Sequence, residues 1–131
     1  MKANVLIGML AWAVQAAVPA AAHHSFAMFD GTKQVDIEGT IKDFQWTNPH
    51  IWIQVMVPDG KGGANEYSVE GVNVSAMRNL GWSRHSLKPG DKVKISMRPM
   101  RNGNMGGSLM SATLADGTKL SGGAPQTIGG G

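Results

Sequence analysis

The stretch VDIEGTIKDFQW, residues 35–46, constrains the fold more than any other part of the chain. Val35, Ile37 and Ile41 alternate with Asp36, Glu38 and Lys42. A period of two puts these sets on opposite faces of a strand. The apolar face must be buried against another layer or across a barrel. Gly39 falls in the apolar phase, where the missing side chain permits a bend or a close approach. The alternation then slips, because Phe44 and Trp46 take the even phase. That slip predicts a bulge near Asp43–Phe44.

The rest of the pattern continues in the same key. TNPH, residues 47–50, reads as a tight turn with Asn48, Pro49 and His50 in its first three positions. IWIQVMV, residues 51–57, is a second strand, followed by a Gly-rich loop and a short third strand, EYSVE, residues 66–70. Asn73 is placed to cap a short helix from Val74 to Leu80, and Gly81 to stop it. A fourth strand follows the turn before Lys92, with Val93, Ile95 and Met97 inward and Lys92, Lys94, Ser96 and Arg98 outward. Ser108 to Leu114 form the fifth, and Asp116-Gly117 turn into a short extension, Thr118 to Leu120.

Three strands in a meander, one short helix and two more strands make an all-β chain in the order of a small five-stranded OB-like barrel. The competing arrangement is an open antiparallel sheet plus helix. All five strands are expected to pair antiparallel.

Outside this domain, the first 22 residues read as a signal peptide. Lys2 gives a positive start, Val5 to Val18 an apolar run, and Pro19-Ala20-Ala21-Ala22 small residues of the A-x-A kind. The apolar run falls short of the roughly 20 residues a span requires, so no membrane span is expected after cleavage. Residues 23–34 form an N-terminal leader whose Phe26, Met28 and Phe29 could dock on the core. Residues 35–121 form the barrel, and residues 122–131 a Gly-rich tail expected to be disordered. The expected location is the periplasm. The chain has no Cys, so neither a lipid-attachment thiol nor a disulfide framework is available.

The leader HHSFAMFD, the strand and turn EGTIKDFQWTNPH, and the segments GWSRHSLKPGDKV and LADGTKL carry a resemblance. They resemble a family of small exported bacterial proteins known only as a domain of unknown function. The resemblance implies an exported periplasmic domain and no particular activity. It rests on His23, His24, Trp46, Asn48, Pro49, His50 and the Gly81-Trp82 pair.

Cleavage after Ala22 would make His23 the first residue. Its α-amine, with a reference pKa near 8, and its imidazole would then form a chelate that the precursor lacks. One more imidazole, from His50 in the exposed turn or from His24, gives three nitrogens in a plane. Square-planar Cu(II) prefers that set, and copper heads the affinity order. Cleavage after Ala20 would leave Ala21-Ala22-His23, another copper-binding terminus. Met100 and Met105, in the polar loop before the last strand, offer thioethers for a second, softer Cu(I) site.

Trp46, Trp52 and Trp82 are a candidate face for a periplasmic partner protein or small ligand. The net charge of +3 is spread along the chain, without the basic clusters that phosphate backbones require, so nucleic acid is not an expected partner. No Ser–His–Asp pattern or Cys nucleophile is present, and the Gly-rich runs lack the strand–loop–helix setting of a phosphate site. The sequence therefore points to an exported binding protein rather than an enzyme, with copper as its leading ligand.

Overall fold

The computed structural model describes residues 27–123. The expected signal peptide, His23, His24, Phe26 and residues 124–131 lie outside the described residues.

The alternating segments form β1 (Val35–Gln45), β2 (Trp52–Pro58), β3 (Ala64–Glu70), β4 (Lys92–Pro99), β5 (Gly106–Leu114) and a short β6 (Lys119–Ser121). One helix, α1 (Val74–Asn79), joins β3 to β4. Strand order is β3-β2-β1-β4-β5-β6, with an additional β3–β5 pairing. That pairing closes β1 to β5 into a barrel and excludes the open sheet. It is also parallel, with Glu70 opposite Ser108, whereas every strand was expected to pair antiparallel. A helical connection followed by β4 turns the chain over, so β5 returns in the direction of β3. Along the barrel, Gln45 pairs with Trp52, Trp52 with Glu70, Glu70 with Ser108 and Ser108 with Arg98. The row comes back to β1 beside Val35, which pairs with Met97. It has climbed about ten residues, the stagger that a closed, tilted barrel demands.

The irregularities of the alternation do what their positions suggest. The β1–β2 register shifts between Ile41 and Asp43, one residue before the slip read from the sequence. The bulge lets β1 serve two partners: Val35 to Thr40 pair with β4, and Thr40 onward with β2. Gly39 sits at this bend, where a Cβ would run into the Met56 carbonyl oxygen and lie 2.9 Å from Val55 Cγ1.

Inside, Ile37, Ile41, Ile53, Val55, Val69, Ile95, Met97, Leu109 and Ala112 are buried, and Met77 of α1 is buried against one end. Each large aliphatic side chain stabilises the fold by roughly 1.5–3 kcal/mol of hydrophobic burial. Arg98 is a departure from the expected pattern. It keeps its outward phase on β4 but is buried, because the leader crosses over it and its guanidinium donates to the Gly31 carbonyl. Phe29 is the leader residue that docks, buried and bridged to Met100, while Met28 remains 41% exposed.

The bend at Gly39 yields a direct test. Gly39→Ala is expected to cost about 1–3 kcal/mol by overpacking against β2 backbone that cannot move without breaking the ladder. Denaturant unfolding monitored by tryptophan fluorescence measures it, and a variant as stable as the parent would contradict the close approach.

Candidate functional site

The β1–β2 loop, residues 46–51, is stitched to the segment that follows β3. Ile51 N–H donates to the Val72 carbonyl at 3.1 Å, and Gly71 N–H to the Ile51 carbonyl at 2.9 Å. Two asparagines cap α1 from different directions. Asn73 accepts from Ala76 N–H at 2.8 Å, as its place in the sequence predicts. Asn48, far away in sequence, accepts from Val74 N–H at 3.0 Å. Together they satisfy two of the helix's orphan donors, and they fix the loop to the helix. The Asn48–Pro49 bond is cis, so the segment is a bend built on that bond and not the ordinary Pro-second tight turn expected.

This stitching aims His50. Its Nδ1 lies 3.0 Å from the Gly71 carbonyl oxygen and 3.3 Å from Glu70 Oε1. A carbonyl oxygen can only accept, so Nδ1 carries the proton. In the neutral ring Nε2 then holds the lone pair. The ring is half-buried, with 35% of the side chain exposed, whereas Glu70 is 11% exposed. Burial pushes the Glu70 carboxyl above the ordinary carboxylate range, and the charge of nearby His50 partly offsets this. Trp52 stands directly opposite Glu70 in the ladder, on the outer surface of the barrel and half-exposed. Gln54 and Ser68 form the next outer pair, joined at 3.1 Å, and Met56 and Glu66 the one after.

The structure separates the three tryptophans. Trp82 is not on an open face: it is 2% exposed, and its Nε1–H donates to the Ser121 carbonyl at 2.8 Å. The apolar phase around α1 draws its ring inward, and β6 satisfies its one polar atom. Trp46 is half-buried and packs edge-on against Phe44, with ring centroids 5.7 Å apart; Phe44 in turn lies 6.0 Å from Trp82. Only Trp52 of the three belongs to the outer β2–β3 face.

Met100 and Met105 bracket the β4–β5 loop but differ in setting. Met100 is half-buried and bridged to Phe29, whereas Met105 is 48% exposed. Met28 joins them at this end of the molecule, since Arg101 N–H donates to its carbonyl at 2.8 Å. Among the described residues, no group of three or more His, Cys, Asp or Glu is placed to hold a metal ion. His23 and His24 lie outside the described residues.

Glu70 is the residue of this site that sequence reasoning missed. It reads as the polar end of a short strand, and nothing local to it announces His50, twenty residues earlier. The signal is the pairing register, which only the folded barrel supplies.

A model of a protein family of unknown function (DUF6152) matches residues 11–110. No curated protein matches the chain. Among solved structures, the crystal structure of the mitochondrial single-stranded DNA-binding protein Rim1 from S. cerevisiae is similar. It has a TM-score of 0.50 and 14% sequence identity over 63% of this chain and 93% of that one. At that identity the likeness concerns the barrel fold.

The raised Glu70 carboxyl sets a sign for stability against pH. The folded state binds this proton more tightly than the unfolded state, so Glu70 contributes stability at low pH that is lost as pH rises through its elevated titration range. Glu70→Gln is expected to remove that component. Unfolding free energies measured from acidic to neutral pH should fall less, or rise more, in the variant than in the parent; parallel curves would count against the burial of this carboxylate.

Proposed function

The chain belongs to a protein family of unknown function (DUF6152), and we propose that it is an exported copper-binding protein. In this reading, cleavage after Ala22 exposes the amine and imidazole of His23, which chelate Cu(II) with His50 or His24 as a further nitrogen. The protein binds its ligand and does not transform it. The observation that carries the reading is the anchoring of His50. One ring nitrogen is held by the Gly71 carbonyl at 3.0 Å on a half-exposed ring, and the other is left with a lone pair. Metal-bound histidines are oriented in this way, by a hydrogen bond from the nitrogen that does not face the metal.

Trp52 supports a second reading, a non-metal adaptor. Its half-exposed ring, with Gln54 and Met56 beside it, lies on the outer β2–β3 face, and such a face on an OB-like barrel suits a partner protein or small ligand. Nucleic acid is a poor occupant, although the similar solved structure is that of a single-stranded DNA-binding protein. The exposed carboxylates of this surface are Asp43 and Glu66, the latter paired with Lys42 at 2.7 Å, so the face offers no net positive charge to a phosphate backbone.

Cu(II) titrations under a competing chelator decide between the readings. Protein beginning at His23 is expected to bind one Cu(II), more weakly as pH falls because protons compete for the amine and imidazoles. One extra Met before His23 moves the free amine away and should remove most of the affinity. His50→Ala should lower affinity if His50 closes the plane, and leave it nearly unchanged if His24 does. Equal affinities of the native-start and Met-extended proteins would reject the terminal chelate. Loss of partner binding in Trp52→Ala, with no effect of copper, would favour the adaptor.

A further inference from the structure

The outer surface of β1, β4, β5 and β6 carries a row of short polar side chains. Asp36 stands opposite Ser96 in the ladder, Ser96 opposite Ser111, and Ser111 opposite Ser121. All four are in the outward phase, where side chains ordinarily meet solvent. Ser111 departs from this: it is only 9% exposed. The β4–β5 register shifts beside it, and Met110 is the extra residue of that bulge. Gln34, Ser96, Met110, Ser111, Lys119 and Ser121 line a cavity of about 320 Å³.

A hydroxyl so far out of water is expected to be hydrogen-bonded. Ser111 Oγ has no partner among the described residues, and none of their side-chain polar atoms is both unpaired and sealed from water. The Ser111 hydroxyl therefore opens into the cavity, with a proton to donate and lone pairs to accept. Its neighbours are half-spent. Ser96 Oγ donates to Asp36 Oδ1 at 2.6 Å, which leaves its lone pairs. Gln34 Nε2 donates to the same oxygen at 3.3 Å, which leaves the amide oxygen. Ser121 Oγ accepts from Gly123 N–H at 3.4 Å, which leaves its proton. Lys119 is exposed and forms no ion pair among the described residues.

We propose that this cavity binds a small neutral ligand rich in hydroxyl groups, a polyol or a monosaccharide, with Ser111 as its central hydrogen-bonding partner. Donors and acceptors are both left over around the cavity, and a hydroxyl is the group that satisfies both. An oxyanion would use the donors alone. It would also meet the Asp36 carboxylate, which the hydrogen bond from Ser96 holds below its ordinary range and therefore charged; Lys94, at 3.8 Å, offsets part of that charge. A wholly apolar ligand would leave the Ser111 hydroxyl unpaired and dry, which is costly. The volume lies at the small end of the roughly 300–1,000 Å³ of small-molecule sites. The site uses no residue of the His50 end and does not depend on the copper reading.

NMR titration of the nitrogen-15-labelled protein tests this with glucose, galactose, myo-inositol and inorganic phosphate as probes. The amides of Ser96, Met110, Ser111 and Lys119 should shift saturably with at least one sugar or with the polyol, and stay in place with phosphate. The two sugars against myo-inositol tell a monosaccharide site from a polyol site. Ser111→Ala should weaken that binding by about 10-fold, the loss of one hydrogen bond to a bound hydroxyl. Its thermal unfolding midpoint should match the parent's, since the hydroxyl has no partner in the fold to lose. A lower midpoint would reveal a structural partner for Ser111 and overturn the proposal. So would the absence of shifts with all three neutral probes, shifts with phosphate alone, shifts confined to the Trp52 face, or binding that Ser111→Ala leaves unchanged.

Discussion

Closure of β3 on β5 is the contact on which the rest of this molecule depends. Only three residues of each strand take part, Ser68 to Glu70 against Gly106 to Ser108. The approach is close enough to demand glycine: a Cβ on Gly106 would run into the Ser68 carbonyl oxygen. Without this short parallel ladder the five strands would form an open sheet with two free edges and a core exposed on one side. With it, the apolar phases of all five strands face one another, and Ile53, Val69, Ile95 and Leu109 lose nearly all contact with water.

Closure also builds the end of the barrel that holds His50. The last residue of β3 is Glu70, and the chain must leave the ladder there to enter α1. Residues 71–73 are therefore irregular backbone at a barrel mouth, with polar groups that need partners. The β1–β2 loop supplies them. Its Ile51 exchanges backbone hydrogen bonds with Val72 and Gly71, its Asn48 caps α1, and its His50 meets the Gly71 carbonyl. A helix of six residues has little stability of its own. Its hold comes from these caps and from Met77 in the core.

Much of this fold is legible in the sequence, because period-two alternation and the Asn73 and Gly81 helix signals are local. Strand phases, the β1 bulge, the place of Gly39 and the helix all follow from residues close to one another. The parallel β3–β5 pairing was not legible, since it joins segments nearly forty residues apart, and direction in a sheet depends on topology. Arg98 misled for a related reason: its phase is outward, but a leader strand that crosses β4 decides its burial. Trp82 reads as a candidate for an exposed face only until β6 is seen to accept from its indole. At the barrel end, the loop position of His50 was legible, because TNPH lies between two alternating runs. Glu70 was not, because a glutamate at a strand end is ordinarily solvated. Its importance arises from a neighbour that the register brings to it.

The number of contacts on the loop bears on what Glu70 is for. Four hydrogen bonds already join residues 48–51 to residues 71–74: two backbone bonds at Ile51, the Asn48 cap and the His50–Gly71 bond. Together they fix the position of the loop and the proton on Nδ1. A fifth contact from a buried carboxylate adds little to closure, since each net hydrogen bond is worth only about 1 kcal/mol, while desolvating the charge opposes it. The groups on the loop could be satisfied by a glutamine, or by water, at lower cost. The contact between Glu70 and His50 therefore adds little to the stability of the barrel, whose end is held by the backbone bonds at Ile51 and the Asn48 cap.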